Sequence, residues 1–199
     1  WKKKFSPKLY LLKNYLKNLI YILKNYLKDP IYISLIVLIF RTSRPYVAEL
    51  GKVPNSNFYK NKDRFEEVII DSAILIFRFD AQLFYANSTY FRDKLDTMVH
   101  KKGAPLKLIV LDAESINRVD STGIEMLKES IKYYQKKDIS FFLAGVKGPV
   151  RDDLFRSEIL SIINVNHFFM RVNDAVKFHK TGDREDQKKY AKYIHQVNH

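Results

Sequence analysis

Apolar positions change their rhythm twice along this chain. Residues 9–28 read LYLLKNYLKNLIYILKNYLK. The unit LKNYLK occurs at Leu12 and again at Leu23, a spacing of 11 residues, about three helical turns. Lys13, Lys17, Lys24 and Lys28 therefore fall near one stripe of a helix, with Leu and Ile over much of the rest. Residues 31–40 follow Pro30 as an uncharged apolar run that ends at Arg41. Residues 41–64 carry Pro45, Gly51 and Pro54 with little periodicity and are expected to be a connector.

From Ala73 the pattern becomes that of an α/β domain. Residues 73–79 (AILIFRF) predict a strand, and residues 83–86 (LFYA) a short second strand in a hairpin with it. Ser88 is placed to cap a helix bearing Phe91, Leu95, Met98 and Val99 on one face. The run 106–111 predicts a central strand. Asp120-Ser121-Thr122-Gly123 follows, directly before the helical spacing of Ile124, Leu127, Ile131 and Tyr134. Thr122 and Glu125 match a capping box. Residues 139–144 predict another strand. Pro149 suits the first turn of a helix carrying Phe155, Ile159, Ile162 and Ile163. Residues 168–172 predict a last short strand, and Asn173 a cap for a terminal helix. Residues 181–199 read as a polar tail. The expected architecture is α/β, a mixed and mostly parallel sheet of four to five strands with crossover helices, behind an amphipathic or apolar N-terminal segment. In such sheets, binding surfaces lie at the carboxyl ends of strands, where Asp120–Gly123 falls.

Charge sharpens this division. Residues 1–64 hold 14 Lys and Arg against 3 Asp and Glu, a net of +11, whereas residues 65–199 are nearly balanced at +2. The basic character thus belongs to the N-terminal segment, and it suits an anionic membrane surface. The stripe of residues 9–28 fits a helix lying in a membrane interface; an amphipathic helix packed on protein fits too. The run 31–40 is too short to span a bilayer alone, since spanning takes about 20 apolar residues. With Arg41 and Arg44 it fits the cytoplasmic end of a membrane helix, or else a buried core helix. The lysines alternate with aliphatic residues and do not form a groove-lining patch, so no nucleic-acid partner is expected. The chain begins at Trp1, lacks a signal-peptide pattern and reads like a piece of a longer protein. It has no cysteine, which excludes disulfides, a Cys-based zinc site and a catalytic thiol.

The strand ending Ile109-Val110-Leu111-Asp112, followed by Asp120-Ser121-Thr122-Gly123 at a helix start, resembles the STAS domain. That domain is shared by bacterial anti-sigma-factor antagonists and the cytoplasmic tails of SulP-type (sulfate permease) anion transporters. Arg41-Thr42-Ser43-Arg44-Pro45-Tyr46 and Ala48–Pro54 are similar to the connector after the last membrane helix of the transporters. The segments from Ile76 to Ala81 and Phe84 to Asn87, with Tyr90 and Phe91, look like that branch's first STAS hairpin. The resemblance covers about residues 31–180. Residues 9–28 depart from it, with four lysines and three asparagines where the family has near-continuous apolar membrane helices.

The resemblance implies membrane-associated or remnant membrane helices over 1–40, a connector over 41–64, a STAS domain over 65–180 and a tail over 181–199. It implies a membrane protein with its STAS domain on the cytoplasmic side, acting in assembly, trafficking or control of sulfate transport. The expected partners are the anionic lipid surface, through Lys13, Lys17, Lys24, Lys28, Arg41 and Arg44, and the transporter core; a second copy of the chain and a regulatory protein are further candidates. The alternative is a phosphoswitch protein of the antagonist type. In that branch the serine matching Ser121 is phosphorylated, which adds about −1.5 to −2 charges at the helix start; the other reading makes Ser121 and Thr122 plain helix caps. Asp112, Asp120, Ser121, Thr122 and Gly123 are the expected partner-docking turn, and the two carboxylates are expected to be solvated. The five histidines have no ligand spacing. No metal, cofactor, Walker-type loop or nucleophile elbow is indicated, and no enzymatic role is expected.

Overall fold

The structure is a computed structural model that describes residues 17, 18, 21 and 29–182. Lys13, Lys24, Lys28 and the tail beyond Gly182 lie outside the described residues; Lys17, Asn18 and Tyr21 are helical and exposed. The chain divides into two units after Ser43.

In the first unit, helix α1 spans Pro30–Ser43 (PIYISLIVLIFRTS), and none of its residues is buried. Asp29 caps it by accepting the Ile31 N–H at 2.9 Å. Its apolar side chains face outward all round, with Ile31 at 74% exposure and Leu38 at 61%. Fourteen residues make about 21 Å of helix. No helix among the described residues is long and apolar enough to cross a membrane.

The second unit is built on one six-stranded sheet, ordered β2-β1-β3-β4-β5-β6. Its strands are β1 (Val47–Lys52), β2 (Tyr59–Asn61), β3 (Ile74–Phe79), β4 (Leu108–Asp112), β5 (Ser140–Ala144) and β6 (Phe168–Phe169). Strands β3 to β6 run parallel, with Phe77 beside Leu111 and Leu111 beside Leu143. Strand β1 runs antiparallel to both neighbours, with Ala48 opposite Arg78 and Leu50 opposite Asn61. The helices are α2 (Tyr85–Lys102), α3 (Ser121–Gln135), α4 (Gly148–Arg156) and α5 (Val172–Thr181).

The sheet separates two cores, because side chains alternate between its faces. Leu75, Phe77, Ile109, Leu111 and Leu143 point to the larger one, with Phe91 and Leu95 of α2, Leu127 and Ile131 of α3, and Leu154 of α4. The intervening Ile76, Val110 and Phe142 meet Ala175, Val176 and Phe178 of α5 on the other side. Strand β4 is buried at all five positions, which explains its unbroken apolar run.

Five expectations change. Ser88, expected as a helix cap, lies inside α2 and donates its hydroxyl to the Phe84 carbonyl at 2.7 Å. Residues 41–64, expected as a connector, supply the hairpin of β1 and β2, so the sheet has six strands and the antiparallel neighbour of β3 is β1. Residues 83–86 do not form a strand: Leu83 makes one isolated bridge to Val119, and α2 begins at Tyr85. The Pro149 helix stops at Arg156, because Glu158 takes a left-handed conformation (φ 63°) before a short 3₁₀ turn at Ile159–Ser161; Ile159 and Ile163 are still buried, as their spacing requires. Asn173 lies within α5, whose cap is Arg171.

Candidate functional site: the strand–turn–helix corner

The carboxyl ends of β3, β4 and β5 lead into three neighbouring loops, and Asp120 joins two of them. Its Oδ1 accepts the Gly123 N–H at 2.7 Å, which caps α3. Its Oδ2 accepts the Tyr85 N–H at 3.0 Å, at the first residue of α2. One carboxylate thus serves the N-termini of two helices, where backbone donors lack partners and a negative charge is favoured. The link is doubled by the main chain, as Leu83 N–H donates to the Arg118 carbonyl and Asp120 N–H to the Leu83 carbonyl, both at 3.0 Å. Thr122 is therefore not the cap, and its expected box with Glu125 does not form. Glu125 instead lies 3.7 Å from Lys128.

Gly123 is buried and set by contact. A Cβ placed there would come within 2.7 Å of the Leu83 carbonyl oxygen, a distance no ordinary side chain tolerates without a backbone shift. The start of α2 is fixed by Asn87, which is fully buried and bonded through both its oxygen and its nitrogen. Its Oδ1 accepts the Phe84 N–H at 3.1 Å and its Nδ2 donates to the Gln82 carbonyl at 2.9 Å.

Ser121 and Thr122 stand exposed on this anchored corner, beside the exposed Arg118 and with Tyr85 at 73% exposure. From the β5 loop, Lys147 Nζ donates to Asn117 Oδ1. Gly145, at φ 68°, turns that loop so that a Cβ there would lie 3.3 Å from Glu114 Cβ. The result is a shelf with exposed hydroxyl, guanidinium and phenol groups over a hydrogen-bonded base.

Asp112 does not belong to the exposed part. It is 7% exposed at the end of β4, and the expectation of a solvated carboxylate fails there. Burial pushes its carboxyl above the usual range, against the pull of the Glu114 N–H at 3.2 Å. Arg78, its neighbour in register on β3, is engaged by Asp80 through two bonds of 2.8 and 2.9 Å. Of the five residues expected in the docking turn, Ser121 and Thr122 present side chains outward, Asp120 and Gly123 build the corner, and Asp112 lies beneath. Of the expected basic set, Lys17, Arg41 and Arg44 are described and exposed. No group of three or more metal-ligating side chains occurs among the described residues.

A second charged constellation had no counterpart in the sequence reading. Glu49, on β1, is 6% exposed and pairs with Lys62 and, at 2.9 Å, with Lys102 at the end of α2. Lys102 also donates to the Asp71 carbonyl at 2.7 Å. Burial works to raise the Glu49 carboxyl, but its two lysine partners hold it below the usual range. No sign of it shows in the sequence, since Ala48-Glu49-Leu50 reads as an ordinary apolar–polar alternation, with Glu49 on the sheet face opposite Ala48 and Leu50.

A six-stranded mixed sheet, helices on both faces and a doubly anchored helix start define a STAS-type module. The STAS domain profile matches residues 65–175, and the chain belongs to that family. Its relatives include sulfate transporter 1.1 of Arabidopsis thaliana, 28% identical over 163 residues, which covers 78% of this chain and 25% of that protein. The probable sulfate transporter 4.2 of the same plant is 29% identical over 153 residues, covering 72% of this chain and 23% of the transporter. Among solved structures, the murine solute carrier 26 family member A9 anion transporter, in its inward-facing state, superposes with a TM-score of 0.68 at 26% identity, over 74% of this chain and 24% of that one. The chain thus spans about a quarter of the length of these transporters.

Proposed function

We propose that this chain is the STAS portion of a SulP-type anion transporter and that it acts in assembly, trafficking or control of sulfate transport. The observation that carries the reading is the reach of the likeness. The STAS match covers residues 65–175, whereas the similarity to sulfate transporter 1.1 takes in 78% of the chain and so extends outside that domain. The apolar α1 with Arg41 in its last turn supports a membrane-bound position, with the second unit on the cytoplasmic side. The shelf around Ser121 and Thr122 is the docking surface for the transporter core, a second copy or a regulatory protein. Its role is binding, since it gathers hydroxyls over a capped helix start and no base or nucleophile pair.

Detergent-free fractionation tests the membrane assignment. The full chain sediments with membranes, and a chain starting at Arg44 stays in the supernatant. Equal distribution of the two sinks the transporter reading. For the shelf, Ser121→Asp in a transporter carrying this domain lowers delivery to the membrane or transport while leaving the fold intact by circular dichroism. Unchanged delivery and transport remove the shelf from the mechanism.

A further inference from the structure

Helix α5 packs on β4, β5 and β6 and leaves the β1 and β3 part of the same sheet face largely uncovered. A cavity of about 720 Å³ lies there, with Leu50, Ile74 and Ile76 of the sheet, Ile69, and Val176 of α5 in its lining. Ile69 is 61% exposed, although its backbone is fixed to Lys52 in both directions, at 2.8 and 2.9 Å. Neighbouring strands lie about 4.8 Å apart, and a helix with its side chains is about 10 Å across. Two strands therefore leave room for one helix.

The end of α5 decides what can fill that room. Thr181, its last residue, belongs to the cavity lining. Gly182 takes a left-handed conformation (φ 68°) with its N–H on the Phe178 carbonyl at 2.8 Å, which stops the helix and turns the chain. Residues 183–199 lie outside the described residues, and they read DREDQKKYAKYIHQVNH. Tyr190, Tyr193, Ile194 and Val197 are spaced i, i+3, i+4 and i+7, one apolar stripe of a helix. Lys188 and Lys192 fall on the opposite side of the same helix. Asp183, Glu185 and Asp186 precede the lysines, the order that a helix dipole favours. As a helix, these 17 residues reach about 25 Å, and a six-residue strand such as β1 spans about 20 Å.

From the uncovered strip and the stripe that follows Gly182, we propose that residues 183–199 form an amphipathic helix that folds back beside α5. It seats Tyr190, Tyr193, Ile194 and Val197 on Leu50, Ile69, Ile74 and Ile76 and closes the cavity. Tethered at the cavity mouth, the segment meets it at an effective concentration on the order of millimolar, ahead of a free partner. The proposal does not depend on the transporter reading, and the shelf at Ser121 takes no part in it.

The test uses the absence of cysteine from the chain. Ser72 is exposed and lines the cavity, so Ser72→Cys places a single thiol there with little change of shape. In the full chain this thiol reacts with Ellman's reagent about ten-fold or more slowly than free cysteine. Adding Ile194→Asp or Tyr190→Asp speeds the reaction about ten-fold, the effect of losing one apolar contact of the seated helix. Adding Lys188→Asp, on the opposite side, leaves the rate unchanged. Residues 188, 190 and 194 lie outside both cores, and circular dichroism checks that the sheet domain persists in each variant. The proposal is overturned if the parent thiol reacts like free cysteine, or if both stripe variants react like the parent. Protection that grows with protein concentration overturns it too, since a second copy would then fill the cavity.

Discussion

Asp120 holds two helix starts with one carboxylate, so its removal acts twice. A lost N-cap costs about 1 kcal/mol, and Asp120→Ala is expected to cost about 2 kcal/mol, read as a lower urea midpoint. Asp120→Asn keeps one acceptor oxygen and loses the other, so its midpoint falls between. If the alanine variant is as stable as the parent, the carboxylate does not join the two helices. Glu49 answers to a different term. Its removal leaves Lys102, whose side chain is 9% exposed, buried without its carboxylate. Breaking such a pair costs about 3 kcal/mol or more, and Glu49→Ala is expected to lose that much. The pH dependence follows in sign. The Glu49 carboxyl is depressed in the folded state, so its contribution is complete above the ordinary value of 4.5 and is lost as pH falls through the lowered one. The variant's urea midpoint should therefore vary less than the parent's below pH 4.5. An equally steep acid limb in both would remove Glu49 from the acid response.

At the scale of elements, the hairpin of β1 and β2 is what a STAS boundary drawn at residue 65 would leave out. Strand β1 is hydrogen-bonded on both sides, to β2 and to β3. A fragment that begins at residue 65 uncovers the edge of β3 at Phe77–Phe79, and an unpaired apolar edge is an aggregation template. Such a fragment is expected to give mainly aggregate on size-exclusion chromatography, where a fragment from Arg44 gives a single peak. Monodisperse material from both would show that the hairpin is dispensable. The same elements mark how far the sequence could be read. Strands β3, β4 and β5 were legible because burial on both faces leaves an unbroken apolar run, and α2 and α3 because their apolar spacing was helical. Strand β1 was hidden because its inward Glu49 is neutralised by lysines 13 and 53 residues further on, partners no local pattern reveals. Residues 83–86 misled because Leu83 is buried by the α3 turn and not by a strand neighbour. In the candidate site, the turn itself was legible. That Asp112 lies under it was not, since burial there comes from the packing of β3 and β4 at their ends.

Across the whole chain, charge and apolar surface fall at the same end. The first 64 residues carry +11, and α1 exposes its aliphatic residues all round. Two forces could therefore hold the protein to an anionic bilayer, and salt separates them. Raising ionic strength from about 0.01 M to about 1 M shortens the screening length from about 30 to about 3 Å. If the lysines dominate, the chain is released from phosphatidylglycerol vesicles in a flotation assay. We expect only partial release, because burial of the aliphatic surface of α1 is insensitive to screening. Complete release would mean that charge alone holds the chain.

The antiparallel seat of β1 between β2 and β3 also has a mechanical meaning. The polypeptide enters the sheet at Val47, opposite Phe79, at the carboxyl end of β3 that leads towards the Asp120 corner. Cross-strand hydrogen bonds in antiparallel pairs run perpendicular to the strands. A tug on Arg44 along the strand axis therefore loads both ladders in shear, with every rung sharing the force, instead of unzipping them one by one. The module therefore resists force well at the point where the chain enters its sheet.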